Sequence, residues 1–227
     1  MIITIDGPAG AGKSTVARAL AGRLGFQYLD TGAMYRAVAL AGLRQGVDWK
    51  SRLAGETLAG LARTSHIELI DDRVLLDGED VSREIRTPRV TELTRYSADS
   101  PAVRAQLVAL QRTIAAKQNV VTEGRDQGTV AFPEAECKFF LTASEKERAR
   151  RRLADLRHQG ETATIEEVQK AQRKRDDRDT ARCVGPLVKA ADAVEVVTDG
   201  MSLEQVVDRL VELARPRLDR LGGGGVG

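Results

Sequence analysis

A run of small residues closing on a lysine and a hydroxyl is the first feature of this chain that could do chemistry. It reads Gly7-Pro8-Ala9-Gly10-Ala11-Gly12-Lys13-Ser14, with Thr15 after it, and fits G-x-x-x-x-G-K-[ST]. The β-branched run Ile2-Ile3-Thr4-Ile5 stands before it, and Val16, Ala17, Leu20 and Leu24 follow at helical spacing. The loop therefore joins a buried strand to a helix. Glycines let such a loop curl until successive backbone N–H groups point inward at phosphate oxygens. The helix beginning near Lys13 adds the positive end of its dipole. Lys13 can then reach the β- and γ-phosphates, and the Ser14 hydroxyl can ligate Mg²⁺. An ordinary glycine-rich turn would share the glycines but would have no use for Lys13 and Ser14 between a strand and a helix. The expectation is a site for a nucleoside triphosphate and Mg²⁺ formed by Gly7, Pro8, Ala9, Gly10, Ala11, Gly12, Lys13, Ser14 and Thr15.

The loop does not fix the reaction, because GTP-hydrolysing switches and ATP-driven machines carry it too. The chain has no Asn-Lys-x-Asp guanine-reading motif, which argues against a GTPase. Three further stretches could decide. Asp30-Thr31-Gly32-Ala33-Met34-Tyr35-Arg36 follows the second apolar strand, so a carboxylate, a hydroxyl, a phenol and a guanidinium sit where open α/β sheets bind ligands. Glu123-Gly124-Arg125-Asp126-Gln127-Gly128-Thr129 follows the strand at Val120-Val121-Thr122. Arg175-Asp176-Asp177-Arg178-Asp179-Thr180-Ala181-Arg182 lies in a charged helix. Arginine offers a planar fork of donors suited to phosphate. Taken singly, Arg36 could pair with a carboxylate on its own helix, and the 173–182 run could be a solvated, salt-bridged face. For Arg148, Arg151 and Arg152, the surface-helix reading and a role over the nucleotide stay open.

In order and spacing, these motifs resemble those of the bacterial cytidylate kinases, with Gly185-Pro186-Leu187 and Ala190-Ala191-Asp192 adding to the match. The resemblance runs from Ile2 to about Leu210, nearly the whole chain. It implies ATP-dependent phosphorylation of CMP and dCMP, with ATP as donor and Mg²⁺ as the metal. It implies that Lys13, Arg125, Arg175 and Arg182 are the catalytic cations. Arg36 would hold the acceptor's α-phosphate with Thr31 nearby, and Tyr35 would either bind there or pack. Asp126 would accept from the cytosine amino group, a donor that uracil replaces with an oxygen. Arg104 would read the acceptor edge of the pyrimidine, and Arg175 and Asp179 would contact the sugar side. The chain departs from the pattern at Arg95, where many relatives have Ser, leaving Thr94 or Ser97 as the nearby hydroxyls. Glu123 and Gln127 also differ from common choices. The rival readings are another small-molecule P-loop kinase, for UMP, dTMP or shikimate, and a non-catalytic nucleotide- or RNA-binding module.

The elements that must position these residues read as α/β. Strand, helix, strand, helix over the first 45 residues predicts a parallel sheet, with Thr31 able to cap the second helix. Apolar runs at 66–70 and 74–76 and Val81, with Asp77-Gly78 between, predict a small antiparallel hairpin. Helical spacing returns over 88–117 with a break at Pro101, then strands at 120–122 and 138–141. A charged helical stretch over 144–182 softens at Gln159-Gly160. A strand at 193–197 and a helix at 202–214 complete the pattern. The expected fold is a P-loop NTPase of the nucleoside monophosphate kinase type: one parallel sheet flanked by helices, a β insert at 63–84 and a helical lid at 144–182. The core would comprise 1–62, 85–143 and 183–221, and the tail 222–227 would be disordered.

Composition limits the alternatives. With 4% aromatic residues, the core must be built from Ala, Val, Leu and Ile. A net charge of +2 speaks against a global nucleic-acid surface. Cys137, Cys183, His66 and His158 show no zinc-ligand spacing. The start Met1-Ile2-Ile3-Thr4-Ile5-Asp6 has neither a basic region nor a long apolar run, so no signal peptide or membrane span is expected. The compartment would be cytoplasmic with reduced thiols. With no apolar surface stripe left over, a monomer is expected.

Overall fold

The computed structural model describes residues 1–70, 73–158 and 160–222. In chain order the elements begin β1 (Ile2–Asp6), α1 (Lys13–Leu24), β2 (Gln27–Asp30), α2 (Thr31–Arg44), α3 (Ala54–Thr64), β3 (Ile67–Ile70), β4 (Arg73–Leu76) and β5 (Glu79–Asp80). They continue α4 (Pro88–Asp99), α5 (Pro101–Ala115), β6 (Val120–Gly124), β7 (Cys137–Thr142), α6 (Glu145–His158), α7 (Ile165–Thr180), β8 (Val194–Val197) and α8 (Leu203–Gly222). The chain divides into two compact units, Met1–Tyr28 with Asn119–Gly227, and Leu29–Gln118.

The first unit is built on a five-stranded sheet in the order β2-β6-β1-β7-β8, with the unit boundary falling inside β2. Strand β1 lies between β6 and β7 and runs parallel to both, so Ile3 aligns with Val121 on one side and Cys137 on the other. A strand covered on both faces must be apolar, and Ile3 and Ile5 are fully buried. Val16, Ala17 and Leu20 of α1 and Val206, Val207 and Leu210 of α8 join the same aliphatic core. The scarcity of aromatics is thus reflected in the packing. Helix α8 continues past Ala214, where the sequence reading stopped, because Pro216 removes a single N–H without ending the helix.

The second unit packs α2, α3, α4 and α5 with a three-stranded antiparallel sheet, β3-β4-β5. Met34, Leu40, Leu58, Ile85 and Leu107 are fully buried there. At the β4–β5 turn, Asp77 (φ 53) and Gly78 (φ 86) both take left-handed conformations, as a tight hairpin requires. Val81 is buried just beyond β5 rather than within it. Helix α3 was not anticipated. Its Ala54, Leu58 and Ala59 are spaced for one buried face, but small residues make that stripe weak. The cap of α2 also differs from expectation: Asp30, not Thr31, stands at the N-cap, and its Oδ1 accepts the Ala33 N–H at 2.9 Å. The breaks before Pro101 and between α6 and α7 fall where the sequence places them. The turn at Asp71-Asp72, Gln159 and tail residues 223–227 lie outside the described residues. Among the described residues, no helix is long and apolar enough to cross a membrane.

Candidate active site

The phosphate loop sits between the end of β1 and the start of α1. Gly7 takes φ 148, and a Cβ there would lie 1.9 Å from the Leu141 carbonyl oxygen, so only glycine fits. Lys13 is buried, and its ammonium arches back to donate to the Pro8 carbonyl at 2.8 Å. Burial, reinforced by the charges of Arg125 and Arg175, pushes the Lys13 pKa down to about 7, while Glu123 and Asp6 oppose the shift. One residue along, the Ser14 hydroxyl donates to Glu123 Oε1 at 2.8 Å. Because β6 neighbours β1 in parallel register, Glu123 stands level with Ile5, just ahead of the loop. A hydroxyl and a carboxylate beside a triphosphate cradle fit Mg²⁺, which takes one or two protein oxygens and completes its shell with phosphates and water. No cluster of three or more metal-ligating side chains occurs among the described residues.

A second group of charges faces this loop. Arg125 Nε donates to Asp179 Oδ2 at 2.8 Å, and Arg182 Nη2 donates to the other oxygen of the same carboxylate. Asp179 is almost fully buried. Burial alone would raise its pKa, yet Arg125 and Arg182, with Arg175, hold it below the ordinary range. One carboxylate therefore orients two guanidinium groups. Asp126 is also buried. It opens a single wide helical turn, Gln127–Ala131, in which the Ala131 and Phe132 N–H groups reach back five residues to the Asp126 and Gln127 carbonyls. The sequence reading thus named Lys13, Ser14, Arg125, Asp126, Arg175, Asp179 and Arg182, all of which fall within the first unit.

Helices α6 and α7 hold the loop from outside. Asp176 Oδ1 accepts the Ala9 N–H at 3.0 Å, Arg148 Nη1 donates to the Ala9 carbonyl at 2.9 Å, and Arg148 and Asp176 pair with each other. Arg151 Nη1 reaches the Ala11 carbonyl at 3.4 Å. Gly10 (φ 79) belongs to the same contact, since a Cβ there would meet Gln172 Nε2 at 2.4 Å. Arg148 and Arg151 thus clasp the phosphate loop, and Arg152 is exposed.

In the second unit, Thr31 is buried in the first turn of α2. Arg36 Nη1 donates to Thr91 Oγ1 at 2.7 Å. Tyr35 packs, with its ring beneath the Arg104 guanidinium at 5.4 Å, and Arg104, itself buried, donates to the Ala98 carbonyl at 3.1 Å. Around the departing residue, Thr94 donates to the Val90 carbonyl, and the Ser97 hydroxyl lies 2.8 Å from the Tyr35 and Thr94 carbonyls. Arg95 is exposed and stacks over Tyr96 at 4.8 Å.

This architecture and charge arrangement can be set beside known proteins. The family model described as cytidylate kinase matches residues 3–216. The chain belongs to the cytidylate kinase family. It is 52% identical over 215 residues to the cytidylate kinase of Rhodopirellula baltica, covering 95% of this chain and 93% of that protein. It is 48% identical over 225 residues to the cytidylate kinase of Carboxydothermus hydrogenoformans, covering 97% and 100% respectively. The cytidylate kinase of Caldanaerobacter subterraneus subsp. tengcongensis shares 48% identity over 213 residues, 94% of each chain. Among solved structures, an uncharacterised protein from Eubacterium ventriosum superposes with a TM-score of 0.54 at 13% identity, covering 96% of this chain and 99% of that one. That likeness concerns the fold alone.

Within the cytidylate kinase frame, three side chains emerge that the sequence reading gave no role: Glu123, bonded to Ser14, and the Arg148–Asp176 pair. No linear spacing reveals that β6 aligns beside β1 and so brings Glu123 to Ser14. The Arg148–Asp176 contact joins residues from separate helices, and each alone looks like an ordinary surface charge.

Proposed function

We propose that the chain transfers the γ-phosphoryl group of ATP to CMP and dCMP, giving CDP or dCDP and ADP. The observation that carries this reading is the surroundings of Lys13. A buried ammonium at a phosphate loop shares its space with Arg125 and Arg175, while Asp179 aims Arg125 and Arg182. So many cations in one place repel each other unless several phosphates arrive among them. Phosphoryl transfer asks mainly for alignment and for stabilisation of charge spread over equatorial oxygens.

In this mechanism an α-phosphate oxygen of the acceptor attacks the γ-phosphorus as its bond to the β–γ bridging oxygen breaks, and that oxygen leaves on ADP. The attacking oxygen is already ionised, so no general base is needed. Lys13 and the loop amides hold the β- and γ-phosphates, and Arg125, Arg175 and Arg182 meet the charge of the transferring group. Arg36 and Thr31 bind the acceptor phosphate. Asp126 accepts from the cytosine amino group, Arg104 donates to the pyrimidine's acceptor edge, with Tyr35 supporting it, and Asp179 with Arg175 serves the sugar side. Ser14 and Glu123 would hold Mg²⁺, which when bound neutralises charge on the β- and γ-phosphates. A net charge of +2 favours small-molecule partners over nucleic acid. Chromatography of a mixture containing the protein, ATP, Mg²⁺ and CMP tests the reading. CDP and ADP should appear one for one, and ADP without CDP would refute it.

A further inference from the structure

Asp6, the last residue of β1, is buried yet takes no part in the mechanism above. Its two oxygens accept from consecutive backbone amides, Oδ1 from Gln127 N–H at 2.9 Å and Oδ2 from Gly128 N–H at 2.7 Å. Those amides directly follow Asp126. On its other side, the Asp126 carbonyl accepts from Val130 and Ala131 N–H at 2.9 and 3.1 Å. The turn is packed as tightly as it is bonded. Gln127 Oε1 accepts from the Thr122 hydroxyl at 2.9 Å, and a Cβ on Gly128 would lie 3.0 Å from Thr4 Oγ1 and 3.4 Å from Asp6 Oδ2. Burial, aided by the charge of Asp126, raises the Asp6 pKa to about 6, so an ionised carboxylate is held here against its own desolvation.

We propose that Asp6 is a positioning residue for base selection: by clamping the two amides after Asp126, it fixes the Asp126 carboxylate where it can distinguish an amino group from a carbonyl. A carboxylate accepts at both oxygens, whereas an amide of the same shape accepts at one and presents a donor to the other N–H. This inference rests on the assignment of Asp126 as the base-reading carboxylate, and the test separates the two.

The measurement is kcat/KM for CMP divided by kcat/KM for UMP, in the full-length protein and in Asp6→Asn, Asp126→Asn and the double variant. A purely structural role for Asp6 would lower both rates together and leave the ratio alone. Loss of one buried charge-assisted hydrogen bond should cut the ratio about tenfold in Asp6→Asn. Asp126→Asn should collapse it, and the double variant should discriminate no worse than Asp126→Asn. Should Asp6→Asn not fold, Gly128→Ala, whose Cβ presses on Thr4 and Asp6, should narrow the ratio in the same way. An unchanged ratio in Asp6→Asn beside a collapsed one in Asp126→Asn would overturn the role of Asp6 while sparing that of Asp126. An unchanged ratio in Asp126→Asn would remove both. A further loss in the double variant would mean that Asp6 does not act through Asp126.

Discussion

At the scale of the residue, the site is a set of charges that would be costly if left alone. Asp179 carries two arginines on one carboxylate, so Arg182 enters the site already aimed. Replacing Arg182 with Ala should lower kcat about 10³-fold or more, the range for a transition-state arginine in phosphoryl transfer. The KM for ATP should change little if, as proposed, Lys13 and the loop amides bind the donor. Steady-state kinetics with saturating CMP measures both, and an unaltered kcat would remove Arg182 from the mechanism. The residues proposed here to meet phosphate or base stand in motifs of short, fixed spacing, which is why the sequence alone singles them out. Those that act across the fold are not legible in this way: Glu123 meets Ser14, and Asp6 meets Gln127, only because β1 and β6 align in register.

At the scale of the element, the phosphate loop is gripped as well as curled. Asp176 of α7 and Arg148 of α6 take the N–H and the carbonyl of Ala9, and both depend on the two helices being packed together. Asp176→Ala would leave the buried Arg148 guanidinium unpaired, a change that costs about 3 kcal/mol when a buried ion pair is broken. Urea unfolding should show that loss, and the KM for ATP should rise while the CMP to UMP ratio stays constant. A KM for ATP equal to that of the parent would mean that the clasp serves stability alone. Most elements could be read from pattern, since β1 is apolar and β-branched, and Pro101 and the α6–α7 gap are local signals. Helix α3 escaped because its buried face is Ala54, Leu58 and Ala59, and Asp30 displaced Thr31 as a cap because two cap-forming residues stand side by side.

At the scale of the whole molecule, two of the buried ionisable groups near the loop, Lys13 and Asp6, make stability depend on pH. Lys13 titrates near 7 when folded and near its ordinary 10.5 when unfolded, so the unfolded chain binds more protons in between. Its contribution makes the protein more stable as pH rises through that window. Asp6 has the opposite sign at lower pH: its folded pKa of about 6 lies above the ordinary 3.8, so stability falls as pH rises between them. ATP should restore the charge on Lys13, and calorimetry near pH 8 in buffers of different ionisation enthalpy should detect proton uptake on binding. Equal heats in all buffers would contradict this. The most direct test of the central claim is a coupled ADP-release assay with ATP, Mg²⁺ and, separately, CMP, dCMP, UMP, dTMP, AMP or shikimate. Fast turnover with CMP and dCMP and weak turnover with UMP is the predicted result. Turnover with another acceptor and none with either cytidine nucleotide would contradict the account.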